Sequence, residues 1–276
     1  LLSKKVTIPI TASKGYDIPA FVSNETLVIA CSYSGNTEET IMALDKCLKK
    51  DAEIAIVTSG GKLQKTAEDN QLNHIIIPGG HPPRAMFGYG FTELFFVLNN
   101  YNIIDDSFKE DFTNAIRLLE KEQDTIIKNA KSLANKIHGT TPIIYTADGF
   151  EGVAVRLRQQ INENAKCLGW QHVIPEMNHN ELVGWAGGKE EYAVVMFRSD
   201  YEHPRSSVRL KISKEIMEKK TSSLVECNAK GNSLIAQSFY HILLGDWISV
   251  YLADLNKVDS VEVKVIDYLK AELAKI

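Results

Sequence analysis

The sequence predicts an α/β protein with two doubly wound parallel-sheet units in tandem, each a three-layer α-β-α arrangement. Three observations support this fold class. Short apolar runs alternate with segments of helical period, the alternation occurs in both halves of the 276 residues, and no short-period repeat or low-complexity tract interrupts it. Parallel strands that helices cover on both faces have such continuous apolar runs. We expect the two units to comprise residues 1–125 and 126–276.

In the first half, strands and helices alternate after a strand-like stretch at residues 6–10. Residues 36–50 are typical of a helix, because Asn36 and Thr37 can cap its start and two glutamates follow in the first turn, near the positive end of the helix dipole. A Pro-Pro pair at 82–83 indicates another helix start, since proline is tolerated in the first turn. The predicted strands are 26–32, 53–58 and 74–78, and the predicted helices are 36–50, 62–70 and 87–98.

A long, highly charged helical segment at residues 107–138 connects the two halves. The same alternation then begins again with a short apolar run. The predicted strands of the second half are 142–145, 192–197 and 223–227, and the predicted helices are 152–168, 206–219, 234–255 and 261–275.

Composition and charge exclude several classes of protein. The net charge of −4 and the pI near 6.0 argue against a nucleic-acid surface, which is normally basic. No apolar run approaches the ~20 residues that span a bilayer, and the start of the chain has no secretory pattern. The four cysteines lie far apart without zinc-ligand spacing. We therefore expect free buried thiols, a cytoplasmic protein, and no metal or other cofactor.

A turn rich in hydroxyl groups follows the first predicted buried strand. It contains Ser32, Ser34 and Thr37 around Gly35, and a helix begins immediately after it. Open parallel sheets bind ligands beyond the carboxyl ends of their strands, and a helix N-terminus offers unpaired N–H groups to a phosphate. The pattern predicts phosphate binding, although an ordinary capped helix start has the same local composition.

Two segments of the second half contain candidate acid–base residues. His179 lies between two asparagines in a polar loop at residues 175–185, and these neighbours could orient its imidazole. Glu163 lies on a predicted helix, opposite its apolar stripe. That stripe consists of Ala154, Leu157, Ile161, Ala165 and Leu168. From the residues alone, a surface histidine and a solvated acid are the simpler interpretations.

Two basic residues lie at predicted helix ends. Arg84 follows a Gly-Gly turn and the Pro-Pro pair, which places it in the first helical turn at the end of the first sheet. Lys257 lies at the end of the helix predicted at 234–255. A surface ion pair for Arg84 and an ordinary lysine at a helix C-terminus are the alternatives.

Four of these segments resemble the sugar isomerase domain superfamily, and most specifically the bifunctional phosphoglucose/phosphomannose isomerases. The hydroxyl-rich turn matches the S-x-S-G-x-T-x-E-T string of the sugar isomerase phosphate loop. Residues 175–185 resemble the string P-E-x-N-H-N-E-x-x-G-W of the bifunctional enzymes. The N-E-N-A-K string at 162–166 and the P-P-R-A turn at 82–85 are similar to further segments of that family.

The resemblance implies two sugar isomerase subdomains and an enzyme that interconverts glucose 6-phosphate, mannose 6-phosphate or both with fructose 6-phosphate through a cis-enediol. It implies that Glu163 is the catalytic base and that His179 opens the sugar ring across the interface of a homodimer. Arg84 would stabilise the enediolate and Lys257 would assist ring opening. The hydroxyls at 32–37 would hold the substrate phosphate. An enediol route of this kind requires no metal, and the His, Glu and Asp residues show no HExxH or similar spacing. The charge and the hydropathy already argue against nucleic-acid and membrane partners.

Two alternatives use the same scaffold. A non-catalytic phosphosugar-binding regulator would keep the hydroxyl-rich turn and have no use for Glu163 and His179, and an aminosugar-phosphate isomerase would have other residues around the base. The family normally begins with a strand and a Gly-rich loop of the G-M-G-G-S type. Nothing like it precedes Thr26. We therefore expect that this first strand and loop are missing from the chain.

Overall fold

The computed structural model describes residues 1–275. Its contacts divide the chain into two compact units, one comprising Leu2–Phe108 and the other beginning at Lys109 and also including Leu1. Each unit contains one parallel sheet with helices on both faces, which confirms the predicted fold class. The division between residues 125 and 126 stays a prediction.

The first unit contains a sheet of three parallel strands. Its elements are β1 (Leu27–Ser32), α1 (Glu38–Leu48), β2 (Glu53–Thr58), α2 (Gly61–Asp69), β3 (Asn73–Ile76) and α3 (Phe87–Asn100). The strand order is β1-β2-β3. Successive side chains of a strand point to opposite faces. Ile54 and Ile56 pack with α1 and α2 on one face, whereas Ala55 and Val57 pack with Val97 of α3 on the other.

The second unit contains a sheet of four parallel strands in the order β5-β4-β6-β7. Its elements are α4 (Ser107–Ile137, of which the first two residues belong to the first unit), β4 (Thr141–Ala147), α5 (Glu151–Ala165), β5 (Trp170–Ile174), α6 (Glu181–Gly184), β6 (Tyr192–Arg198), α7 (Pro204–Met217), β7 (Leu224–Asn228), α8 (Leu234–Asn256) and α9 (Lys264–Leu273). The chain places β5 on one side of β4 and β6 on the other, so the winding reverses between them.

Different layers cover the two faces of the second sheet. On one face, Ile144 and Val195 pack against α4, α5 and α8. On the other face, Tyr145 and Met196 pack against α7 and against Trp185, which belongs to the β5–β6 segment (residues 175–187). The sheet therefore lies between α5 and the β5–β6 segment.

Two predicted features of the elements were wrong, and one strand was missed. Residues 6–10 form no strand, because Pro9 lacks a donor for a ladder and the apolar side chains Ile8 and Ile10 stay exposed. The edge strand β5 is absent from the predicted elements. The helix predicted to reach residue 168 ends at Ala165, where Lys166 takes a left-handed φ of 53°. Leu168, counted in its apolar stripe, is 83% exposed.

No helix in residues 1–275 is long and apolar enough to cross a membrane. All four cysteines are free thiols. Cys47 and Cys227 are buried, whereas Cys31 is exposed and Cys167 is half-buried, so the expectation of buried thiols holds for two of them.

Candidate active site

The hydroxyl-rich turn after β1 is held tightly against the turn after β2. Gly35 has a φ of +65°, and a Cβ atom at this position would lie 1.7 Å from the carbonyl oxygen of Gly60. The Ser59 hydroxyl donates to the carbonyl oxygen of Tyr33 at 2.6 Å. Because the two turns approach so closely, glycine is required at position 35 and the shape of the turn is fixed.

The start of α1 is open to an anion. Thr37 occupies the N-cap position, but its hydroxyl does not cap the helix and instead shares a hydrogen bond of 2.7 Å with the hydroxyl of the buried Ser32. Ser34 and Thr37 are exposed. The structure thus brings the Ser32 and Thr37 hydroxyls together at the uncapped start of α1, an arrangement that suits phosphate, while the Ser34 hydroxyl accepts from the Asn36 N–H at 3.3 Å in the same turn.

The turn that contains Arg84 lies beside the hydroxyl-rich turn. The backbone N–H of His81 donates to the Tyr33 hydroxyl at 3.1 Å. Arg84 is half-buried and lies in a 3₁₀ turn, Pro83–Met86, whereas α3 begins only at Phe87. Arg84 therefore lies in a helical turn that leads directly into α3, and this turn has the tighter 3₁₀ form that is common at helix N-termini.

Glu163 lies near the end of α5 and is half-buried. Part of the polar side of α5 packs against α8, although Gln159 on the same side is exposed. Arg156 forms a two-pronged ion pair with Asp246, with N–O distances of 3.0 and 2.7 Å. Asn164 donates to the Ser249 hydroxyl at 2.8 Å. Polar residues of α5 therefore form an interhelical contact, and Glu163 is half-buried instead of fully solvated as periodicity favoured.

Helices α5 and α8 run parallel and end side by side. Their contacts advance in the same direction along both helices, and the Asn256 side chain donates to the carbonyl oxygen of Ala165 at 2.8 Å. Lys257 follows as the C-cap of α8, with a left-handed φ of 56° and an exposed side chain. The structure therefore places Lys257 at the same end of the helix pair as Glu163.

His179 lies on the other face of the second sheet, in the β5–β6 segment. Its imidazole is exposed. The residues before it are anchored, because Met177 is fully buried and the Asn178 side chain donates to the Ser213 hydroxyl of α7 at 2.8 Å. The backbone is thus fixed beside an imidazole that stays accessible.

Glu181, two residues after His179, is a functional candidate that the sequence did not reveal. Its carboxylate accepts hydrogen bonds from the Tyr145 hydroxyl, from the Trp170 indole N–H at 2.9 Å and from Nδ1 of His172 at 2.7 Å. Burial and the Glu181 carboxylate raise the pKa of Tyr145, so its hydroxyl remains a donor. The donors belong to β4 and β5, whose register is not visible in the sequence.

A second strand-to-helix turn lies between β6 and α7, and charged side chains of the protein already occupy its hydrogen-bond donors. Glu202 has a side chain only 3% exposed and accepts from Arg198 at 3.0 Å and from the Ser199 N–H at 2.8 Å. Arg198 also pairs with Glu226 and donates to the Ser207 hydroxyl at 2.7 Å. In the cleft of about 340 Å³ beside this turn, the Arg198 guanidinium is therefore already engaged and is not available to a phosphate.

Comparisons with other proteins identify the family. A model of the C-terminal SIS domain of bacterial phospho-glucose isomerase matches residues 126–273. A bifunctional phosphoglucose/phosphomannose isomerase of Caldicellulosiruptor bescii is 38% identical over 282 residues, which cover 99% of this chain and 83% of that protein. The chain belongs to the bifunctional phosphoglucose/phosphomannose isomerase family. The resemblance inferred from the motifs is confirmed.

Two further similarities extend beyond the phosphoglucose/phosphomannose isomerases. A D-glucosamine-6-phosphate 4-epimerase of Sulfolobus acidocaldarius is 36% identical over 169 residues, or 58% of this chain and 51% of that protein. A solved structure, a glucose-6-phosphate isomerase like protein from Thermus thermophilus, aligns with a TM-score of 0.59 and 20% identity, covering 91% of this chain and 88% of that chain. At that identity the second similarity shows a common fold alone.

In this phosphoglucose/phosphomannose isomerase family member, the candidate residues lie in three places. The hydroxyl-rich turn and the turn of Arg84 are neighbours in the first unit. Glu163 and Lys257 share one end of the α5–α8 pair, and His179 lies across the second sheet from them. Among residues 1–275, no group of three or more His, Cys, Asp or Glu side chains is arranged to hold a metal ion.

Proposed function

We propose that the chain is an aldose–ketose isomerase that interconverts glucose 6-phosphate and mannose 6-phosphate with fructose 6-phosphate through a cis-enediol. The observation that carries the proposal is the half-buried Glu163 at the end of the α5–α8 pair, in a chain 38% identical to an isomerase of that name. A carboxylate on a rigid helix pair can act on a bound sugar with little reorganisation.

Glu163 is the base of the proposed reaction. It removes the proton from C2 of the open-chain aldose, and the electron pair forms the C1–C2 double bond of the enediol while the C1 oxygen gains a proton. Return of the proton to C1, with loss of the proton from the C2 hydroxyl, gives fructose 6-phosphate. Return to either face of C2, with loss of the proton from the C1 hydroxyl, gives glucose or mannose 6-phosphate. The guanidinium of Arg84 would stabilise the negative charge of the enediolate.

The substrate phosphate is proposed to bind at the start of α1. The uncapped N–H groups there and the hydroxyls of Ser32, Ser34 and Thr37 support this placement. The turn after β6 is a poorer candidate, because Glu202 already occupies its donors. Phosphate binding would orient the sugar, which converts binding energy into rate.

His179 is proposed to act in the site of a second copy of the chain, opening the sugar ring by acid–base catalysis. The second sheet lies between Glu163 and His179 of one chain, which supports an arrangement in which the two residues at one sugar come from different chains. Two apolar side chains are exposed, Leu168 (83%) just before β5 and Val183 (76%) in the β5–β6 segment, and they support a homodimer interface on this unit. Lys257 would assist ring opening from the chain that supplies Glu163.

The cytoplasm is the proposed location of the reaction, since the four cysteines are free thiols and a reducing compartment keeps thiols in that form. The proposed partners are the sugar phosphate and the second copy of the chain.

Replacing Glu163 with glutamine tests the proposed function. The change keeps the shape of the side chain and removes the base, so kcat with fructose 6-phosphate should fall by about 10²–10⁴-fold. KM should change little, because the groups around the phosphate are untouched. Coupled assays that detect glucose 6-phosphate and mannose 6-phosphate separately measure both products. Glu151→Gln, in the exposed first turn of the same helix, is the matched control and should retain the wild-type rate. Wild-type turnover by Glu163→Gln would remove this residue as the base.

The partial similarity to the D-glucosamine-6-phosphate 4-epimerase favours a second candidate, an enzyme acting on an aminosugar phosphate. Incubation with glucosamine 6-phosphate, followed by NMR, distinguishes the two. Faster conversion of glucosamine 6-phosphate than of fructose 6-phosphate would favour this candidate. Binding of fructose 6-phosphate without turnover would instead favour a phosphosugar-binding regulator.

A further inference from the structure

The β5–β6 segment holds His179 with little regular structure of its own. It consists of the 3₁₀ turn Glu176–His179, the four-residue helix α6 and the 3₁₀ turn Trp185–Gly187. Such short turns contain few internal backbone hydrogen bonds and are not stable in isolation. The position of the His179 imidazole must therefore come from contacts between this segment and the rest of the second unit.

One set of contacts fixes the segment before His179. Met177 is fully buried between the second sheet and α7. The Asn178 side chain donates to Ser213 at 2.8 Å and accepts from Arg209 at 3.4 Å, both on α7. This side of His179 is attached to a helix that packs on the sheet.

Glu181 fixes the segment after His179. Its carboxylate accepts hydrogen bonds from Tyr145 of β4 and from Trp170 and His172 of β5. The Trp185 indole N–H, just beyond the other end of α6, donates to the same Tyr145 hydroxyl at 2.9 Å. Strand β4 pairs with a neighbour on both sides and is therefore a rigid support. Hydrogen bonds to a carboxylate are about twice as strong as neutral ones.

We propose that Glu181 is a positioning residue that holds His179 in place for ring opening by attaching α6 to β4 and β5. This inference rests on the proposed isomerase function and on the proposed role of His179. If the attachment is lost, ring opening should slow, whereas proton transfer at Glu163 should continue because α5 lies on the other face of the sheet.

Two substrates separate these steps. Fructose 6-phosphate must be opened, whereas 5-deoxyfructose 6-phosphate lacks the hydroxyl that closes the furanose ring and is always open. With Glu181→Ala, kcat for fructose 6-phosphate should fall by about 10- to 100-fold, because small displacements of a catalytic group have effects of this size. The rate with the deoxy substrate, followed by NMR of the aldose product, should stay within about threefold of wild type on the same reasoning. His179→Ala should show the same selective loss.

A conservative variant and a matched control sharpen the test. In Glu181→Gln, the amide oxygen can accept from Tyr145 and Trp170 while the amide N–H donates to the other tautomer of His172. This variant should retain rates within about threefold of wild type on both substrates. Glu176→Ala, on the same segment, should behave like wild type, because the Glu176 carboxylate accepts a long hydrogen bond of 3.4 Å from Asn180 of its own segment.

Equal losses on both substrates by a Glu181→Ala protein that still melts cooperatively would overturn the proposal, and so would unchanged rates on both. Losses in Glu181→Gln as large as those in Glu181→Ala would also overturn it.

If Glu181→Ala does not fold, the double variant Trp170→Phe/His172→Phe decides, since it leaves the carboxylate with Tyr145 alone. A selective loss on fructose 6-phosphate supports the proposal, and any other result contradicts it. A failure of the isomerase function is distinct, because wild type would then convert neither substrate.

Discussion

At the scale of single residues, His241 of α8 lies where a positive charge is costly. It is 1% exposed and stacks on Phe197, with ring centroids 4.4 Å apart. Its Nε2 donates to the carbonyl oxygen of Arg198 at 2.8 Å, and its Nδ1 is buried without a hydrogen-bond partner in the described part of the chain. Burial lowers the pKa of this imidazole to about 4. The folded protein therefore keeps His241 neutral at pH values where an exposed histidine is charged.

Acid should destabilise the fold through His241. The unfolded chain binds a proton there below about pH 6.5, whereas the folded chain binds it only near pH 4, so stability falls as the pH drops through this interval. The loss should reach about 2–3 kcal/mol near pH 4.5. Urea unfolding at neutral and acidic pH measures it. His241→Gln keeps an N–H donor and should lose less stability than wild type between neutral and acidic pH. The control His138→Gln replaces an exposed histidine and should lose as much stability as wild type over the same interval. An equal loss in His241→Gln and wild type would contradict the prediction.

Gly35 is the residue on which the shape of the proposed phosphate site depends. Gly35→Ala would place Cβ against the carbonyl oxygen of Gly60 at a left-handed φ, so the two turns must separate. We expect a loss of about 2 kcal/mol or more in the free energy of unfolding, and a higher KM for fructose 6-phosphate. Gly88→Ala is the control, because nothing lies within 4 Å of its added Cβ. Unchanged KM and stability in Gly35→Ala would show that the turns are not coupled as described.

At the scale of elements, the contact between α5 and α8 fixes the helix that contains Glu163. Burial raises the pKa of the Asp246 carboxyl, and the ion pair with Arg156 partly opposes this shift. Asp246→Ala should cost about 3 kcal/mol, because it removes the two-pronged partner of a mostly buried guanidinium. Replacing both residues with leucine should cost less, since no charge is then left uncompensated. Urea unfolding compares the two variants, and a double variant less stable than the single one would contradict this account.

The elements that the sequence predicts well are those with a local signal. Strands β1 and β2 are continuous apolar runs, and β2 was predicted at its observed bounds, Glu53–Thr58. Strand β5, with the sequence WQHVI, mixes polar and apolar residues because it lies at the sheet edge. The stretch at residues 6–10 is the reverse case, because its sequence is mostly apolar but it forms no strand and has no neighbouring strand to pair with. Pairing with a neighbour decides whether such segments are strands, and a local pattern does not contain that information.

At the scale of the whole molecule, the sequence motifs identify the family and its candidate residues but not their arrangement. Ser32, Ser34 and Thr37 lie within six residues of chain, so their proximity was predictable. The positions of Glu163 and His179 on opposite faces of the second sheet depend on strand order and on which layer each segment joins. The three hydrogen bonds of Glu181 depend on the register of β4 and β5. Both are tertiary features without a local signal.

Subunit complementation is the most direct test of the central claim, that the carboxylate of one chain and the imidazole of another act on the same sugar. Glu163→Gln and His179→Ala, each nearly inactive, are unfolded together and refolded as a mixture. In a mixed dimer, one site combines the intact Glu163 of one chain with the intact His179 of the other. The mixture should regain about a quarter of the wild-type activity, since about half of the dimers are mixed and each has one intact site. Activity no higher than that of the separate variants would contradict the account.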